Sequence, residues 1–485
     1  MSLSDLVLNL KVILPIAVLV LWACALLIID LFIPAQRKGL TALLAALGLA
    51  VVLGLAVAQA GRQESAFNDM VVVDGFSTFL NVLFAASGLA GIALAYDYLK
   101  RTGMERGEYY TLLMFSISGM MLMAQATDLI VMFLALELLS IPLYVLSGFA
   151  RPRADSEEAA LKYFLLGSFS GAFVVFGIAL VFGATGSTAL ATVLEVARNG
   201  AANLTLLVIG AGLVVVGLGF KVAAVPFHMW TPDVYQGAPS AVTAFMSVGA
   251  KAGGFAALLR IFMVAVPSTS AHLWLVFEIL AILTMLLGNL VAIAQTNIKR
   301  MLAYSSIAHA GYILMALVTY GLPTTAPIGV AAALFYLVAY AVTSFGAWAV
   351  VIALEKAEGK GLELDDYAGL GRKYPLLALA MAVFMLSFTG VPPTLGFMGK
   401  FYLFGAAIHG GFVGLALFGV VTSLISAYFY LRVIVIMYMR EGDPEVSADP
   451  WLKFTAIAAA VLTVLLSLAA GPLFNLAARA TLFLN

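Results

Sequence analysis

Apolar windows of about 20 residues recur along the whole sequence, joined by short polar stretches. At 1.5 Å per residue, about 20 residues cross the ~30 Å hydrocarbon core of a bilayer. Only helices or closed barrels satisfy the backbone there, and runs this long read as helices. The windows predict spans at 11–33, 40–60, 74–96, 109–126, 129–150, 162–185 and 204–227, then at 239–266, 272–295, 300–320, 327–354, 375–409, 411–438 and 452–474. The expectation is therefore an all-α polytopic membrane protein of about fourteen transmembrane helices. Composition agrees: 63% of the residues are hydrophobic and 10% charged, where soluble domains carry about 25% charge. The first run is too long for a cleaved signal peptide and has no small-residue cleavage site behind it.

Basic residues test the count, because cytoplasmic loops are enriched in lysine and arginine. Loops after odd-numbered spans hold Arg37, Lys38, Lys100, Arg101, Arg106, Arg151, Arg153, Lys299, Arg300, Lys356, Lys360, Arg372, Lys373, Arg440 and Lys453, with Lys162 and Arg432 close by. Loops after even-numbered spans and the tail hold Arg62, Arg198 and Arg479. This asymmetry puts both termini on the non-cytoplasmic side. The zero net charge offers no basic surface for nucleic acid. The single cysteine, Cys24, excludes a disulfide framework, an iron–sulfur site and thiolate zinc, and four scattered histidines form no ligand cluster. No glycine-rich phosphate loop appears on a strand-to-helix turn. The longest polar stretch, 355–374, reads as a solvated cytoplasmic connector, and the helical glycines as close-packing positions.

A few ionisable residues fall at membrane depth: Glu137 in "FLALELLSIPLY", Lys221 in "LGFKVAAVPFHMW", Lys251 in "SVGAKAGGF", Lys400 in "LGFMGKFYLF" and His309 in "AYSSIAHAGY". Each central charge facing lipid would cost ~2.5–3.5 kcal/mol or more, so these should face inward, pair, or reach water. Glu137 and Lys221 are a candidate pair; at ~4 Å and an effective dielectric of 20 such a pair is worth about 4 kcal/mol. A static buried ion pair and a proton relay both remain open for it. Three lysines in separate helices are harder to explain as glue, because one acid cannot serve them all. Gly217, Gly219 and Pro226 around Lys221, and Pro392, Pro393, Gly396 and Gly399 before Lys400, suggest interrupted helices of the kind that line ion paths; a simple proline kink is the alternative. His228, Trp230 and Asp233 read either as a polar plug or as a loop with an interfacial tryptophan. His309 is a possible bridge, and Glu158 with Lys162 reads as an i,i+4 surface pair.

Four segments carry a resemblance: "FKVAAVPFHMWTPDVYQGAP", "EAALKYFLLGSFSGAF", "NLVAIAQTNIKRMLAYSSIAHAGY" and "LGFMGKF". Across about residues 109–440 the chain resembles the antiporter-like membrane subunits of respiratory complex I, the proton-pumping NADH–quinone oxidoreductase. The resemblance implies N-terminal helices 1–3 at 1–108, inverted five-helix repeats at 109–266 (helices 4–8) and 267–440 (helices 9–13), broken helices 7 and 12, and helix 14 at 441–485. It also implies a proton relay of Glu137, Lys221, Lys251 and Lys400, with His309, His228 and Lys162 as possible members. No cofactor is expected in this chain; NAD, FMN, iron–sulfur clusters and quinone would lie in partner subunits. Partners would be the bilayer and the other membrane subunits of the complex, in a bacterial inner membrane. Lysine at 400 and a chain that stops after the last span fit the subunit N branch. A subunit of a multi-subunit cation/proton antiporter is the alternative.

Overall fold

The computed structural model describes residues 3–264, 273–319, 322, 325–356, 359–447, 449–480 and 482. The helices in chain order are α1 (Leu3–Asp30), α2 (Gly39–Ala58), α3 (Gly75–Arg101), α4 (Glu108–Gln125), α5 (Leu129–Ser147), α6 (Ala154–Thr185), α7 (Leu190–Arg198), α8 (Leu204–Val222), α9 (Trp230–Gly237) and α10 (Ser240–Val264). They continue with α11 (Leu273–Ile293), α12 (Ile298–Leu314), α13 (Ala326–Leu354), α14 (Leu370–Lys373), α15 (Pro375–Thr389), α16 (Leu395–His409), α17 (Val413–Met439), α18 (Pro450–Leu468) and α19 (Ala470–Ala478). Twelve helices among the described residues are long and apolar enough to cross a membrane, and α15 is a shorter apolar helix. This is a nearly all-helical polytopic membrane protein.

Polar residues at the loop ends start these helices. Asp74 caps α3 in a reciprocal capping box with Ser77. Asp128 accepts from the N–H groups of Ile130 and Val131 at the head of α5, and Asn297 from those of Lys299 and Arg300 at the head of α12. Each cap satisfies donors that no helical carbonyl can reach. Close packing follows the glycines: Gly177 of α6 and Gly210 of α8 meet so tightly that a Cβ on either would lie 2.7 or 2.8 Å from the other's carbonyl oxygen.

Four elements depart from the sequence reading. A two-stranded hairpin, β1 (Glu64–Ala66) with β2 (Val71–Val73), and the amphipathic α7 occupy stretches expected to be plain loops. The 355–374 connector is not simply solvated, since Glu355 and Tyr367 are buried; Tyr98 donates to Glu355 at 3.2 Å, and Asn297 bridges to Glu363. The span expected at 162–185 begins at Ala154, so Glu158 and Lys162 lie inside α6. The boundary placed between 266 and 267 lies outside the described residues.

Helices α10, α12 and α13 form the centre and are buried on nearly every side, whereas α1, α2 and α18 turn most of their surface outward. α10 contacts α3, α4, α5, α8, α9, α12 and α13. A residue on α10 or α12 therefore has protein on all sides, and these two helices carry Lys251 and His309.

Candidate functional site

Both suspected interruptions are present. The first separates α8 from α9 over residues 223–229. Ala223 ends α8 in the left-handed region at φ 62°, and its N–H turns back to the carbonyls of Gly219 and Phe220. Trp230 Nε1 donates to the Phe220 carbonyl at 2.9 Å, and the Val225 N–H donates to Thr284 Oγ1 of α11 at 2.9 Å. These bonds satisfy backbone groups freed by the break, which apolar surroundings require. The second break separates α15 from α16, with Gly390 at φ 90°.

The two lysines sit differently at their breaks. Lys221 lies in the last turn of α8, ahead of the interruption. Lys400 lies on α16, beyond it, and its ammonium reaches back to the carbonyls of Phe388 and Thr389 at the end of α15, both at 2.9 Å. A cation there meets the negative end of the half-helix and fills unpaired acceptors. Ser423 of α17 also accepts from Lys400.

Lys221, Lys251 and Lys400 are 3%, 2% and 4% exposed, and none forms an ion pair with a carboxylate among the described residues. The expected Glu137–Lys221 contact is absent. Lys221 instead donates to Ser140 Oγ at 2.8 Å and Tyr163 Oη at 3.0 Å. Glu137 is half-buried and faces α6, where a Cβ on Gly171 would lie 3.0 Å from its Oε1. The ammonium takes its close acceptors from Ser140 and Tyr163, while the Glu137 carboxylate is turned toward α6. Lys251 donates to the carbonyl and hydroxyl of Ser306 on α12, and Tyr340 of α13 donates to the same hydroxyl at 2.9 Å.

From Ser306 the polar groups run along one face of α12, through His309 and Tyr312 at i+3 and i+6. His309 Nδ1 lies 2.6 Å from Tyr336 Oη and Nε2 lies 3.1 Å from Tyr430 Oη. Lys400 Nζ sits over the Tyr312 ring, 4.6 Å from its centre. Lys251, His309 and Lys400 thus lie along one buried polar stretch, where the His309 ring packs on the rings of Tyr340 and Tyr312. Lys221 approaches it through α10, where Gly254, one turn from Lys251, packs on Lys221 Cβ and Cγ.

Two expected members stand apart. Lys162 is 40% exposed and bridges Glu158 and Asp233 at 2.7 Å each, while Arg300 meets Asp233 at 2.8 Å. His228 lies in the first break, with Nδ1 buried and without a hydrogen-bond partner among the described residues. The sequence reading missed Ser306, Tyr336, Tyr340 and Tyr430. The readable signal was the three-residue spacing of Ser306, His309 and Tyr312 and the i,i+4 spacing of Tyr336 and Tyr340 in otherwise apolar helices. It also missed Lys299, taken as a loop charge but 1% exposed and donating to the Ala238 carbonyl at 2.7 Å.

Residues 126–426 match the family described as NADH:quinone oxidoreductase/Mrp antiporter, TM. NADH-quinone oxidoreductase subunit N of Chloroflexus aggregans is 48% identical over 98% of each chain. The chain belongs to the subunit N family of NADH-quinone oxidoreductases. A subunit N family fold is also seen in a chain of respiratory complex I from Thermus thermophilus with bound aureothin, which superposes with a TM-score of 0.81 at 37% identity, over 96% of this chain and 99% of that one. A chain of the Mrp complex from Dietzia sp. DQ12-45-1b shares the fold at 24% identity, with a TM-score of 0.84 over 99% and 97%.

Proposed function

We propose that this chain is a proton-translocating membrane subunit of NADH–quinone oxidoreductase, driven by electron transfer in other subunits that hold the flavin, iron–sulfur clusters and quinone. The observation that carries this reading is the set of three buried lysines held by hydroxyls and carbonyls and by no carboxylate. An unpaired buried ammonium costs several kcal/mol, and that cost vanishes when its proton leaves. Such sites suit proton transfer better than structural pairing.

In this reading Lys221 passes its proton through water to Lys251, and Ser306, His309 and the tyrosine hydroxyls carry it on to Lys400. Water fills the first break beside His228 Nδ1. Glu137 acts on Lys221 from a distance rather than in contact, and Lys162 anchors the end of α6 against Asp233. Counting α4 and the α15–α16 pair as crossings brings the total to fourteen, with repeats at 109–266 and 267–440 and both termini outside a bacterial inner membrane. The different placement of Lys221 and Lys400 about their breaks means that repeat symmetry, if it relates the helices, does not relate the ammonium sites atom for atom.

The test is Lys221→Ala in the assembled complex, with NADH:quinone electron transfer and proton translocation measured together in proteoliposomes. The expected result is assembly with a loss of translocation. Normal pumping stoichiometry would sink the relay. Sodium-coupled rather than proton-coupled flux would favour the antiporter reading.

A further inference from the structure

We propose that the groove between α3, α13 and α18 is a binding site for one diacyl anionic phospholipid, its phosphate held by Arg62 and Arg479. The groove encloses about 1100 Å³ and is lined almost entirely by apolar side chains, among them Phe79, Val82, Val338, Phe345 and Leu462. That is slightly above the ~300–1,000 Å³ typical of small-molecule sites. Along α3 the lining runs from Gly75 to Ala93, a length of ~27 Å at 1.5 Å per residue. An acyl chain fits within that length, since the whole hydrocarbon core measures ~30 Å.

Charge selects the headgroup. On the side opposite the basic loops the exposed basic residues are Lys11, Arg62, Arg198 and Arg479, and two of these four line this one groove. Both arginines are exposed, and neither has an ion pair or a side-chain hydrogen bond among the described residues. They follow α2 and α19 and line the groove together with Gly75 and Thr78 from the first turn of α3. One turn deeper, Thr78 also lines the groove and is 8% exposed. A guanidinium pair recognises phosphate through charge-assisted bonds, and a partner's apolar helix would leave both charges unmatched.

The proposal is independent of the relay. Its test uses the intact complex in membranes, labelled with phosphatidylglycerol carrying a photoactivatable acyl chain, beside the matching phosphatidylcholine probe. Expected is labelling of the α3 and α18 peptides by phosphatidylglycerol in excess of phosphatidylcholine, on the order of tenfold for two basic groups. The preference should disappear in the Arg62→Gln/Arg479→Gln variant and persist in Arg62→Lys/Arg479→Lys. Equal labelling of the wild-type complex by both probes would overturn the proposal in favour of ordinary annular lipid. Absent lipid labelling, with cross-links from the groove to a neighbouring polypeptide, would overturn it in favour of a subunit contact. The wild-type comparison decides even where a variant fails to assemble.

Discussion

Lys400 closes the end of a helix to which it does not belong: its Nζ donates to the Thr389 carbonyl at 2.9 Å across the break between α15 and α16. One side chain thereby both satisfies the half-helix and carries the proton of the proposed relay. These roles separate by substitution. Arginine at 400 can still reach carbonyls but does not give up its proton. We expect Lys400→Arg to keep much of the complex's thermal stability and lose proton translocation. Lys400→Ala should lose both, with about 1–3 kcal/mol of local stability gone with the charged hydrogen bonds. Translocation by Lys400→Arg at the wild-type rate would reject proton transfer through this position.

Gly390 holds the same break open. Its φ of 90° strains any side chain, and a Cβ would meet Lys400 Cδ at 3.0 Å. Gly390→Ala is expected to lower stability by about 1–2 kcal/mol from the left-handed backbone alone, read as a lower melting temperature of the solubilised complex. At the first break the residue is Ala223, at φ 62°. There the opposite change, Ala223→Gly, relieves strain and should leave the melting temperature unchanged or raised. Equal losses in both variants would contradict this account of the breaks.

Much of the fold was legible because membrane helices declare themselves by length and apolarity, and a buried lysine stands out in such a window. The positions of Lys221, Lys251 and Lys400 in the core followed from the cost of exposing them to lipid. Their partners did not. Hydroxyls cost little in an apolar helix, so Ser306, Tyr336 and Tyr430 gave weak signals beside the charges. The absent Glu137–Lys221 contact has the same origin: opposite charges suggested a pair, while Ser140 and Tyr163 took the ammonium's bonds. Lys299 reads as a loop charge because it is the second residue of α12, and only the packing of α9 against α12 shows that it is buried.

The hydroxyl path is testable apart from the lysines. Tyr340→Phe removes the donor to Ser306 Oγ, and Ser306→Ala removes one acceptor of Lys251 while its backbone carbonyl remains. Each change should cost about 0.5–1.5 kcal/mol in stability, small enough for assembly to survive. The expected result is slower translocation in both variants, with a greater deficit in Ser306→Ala, which touches Lys251 directly. Unchanged rates in both would leave water alone to connect Lys251 with His309 and would remove these hydroxyls from the path.

Arg260 and Asp74 form a fully buried ion pair, with Nη1 to Oδ2 at 2.6 Å and Nη2 to Oδ1 at 3.1 Å; Arg260 also donates to the Ala124 carbonyl. The pair ties α10 to the head of α3 and the end of α4, ~13 Å along α10 from Lys251 at 1.5 Å per residue. Removing Arg260 breaks this buried pair, so Arg260→Met should destabilise by about 3–5 kcal/mol. Adding Asp74→Asn also removes the carboxylate charge while preserving an N-cap acceptor, and should recover a substantial part of that loss. The measurement is the melting temperature and yield of the assembled complex in the two single variants and the double. If the double variant is as unstable as the sum of the singles, the two residues act independently and the pair contributes no coupling.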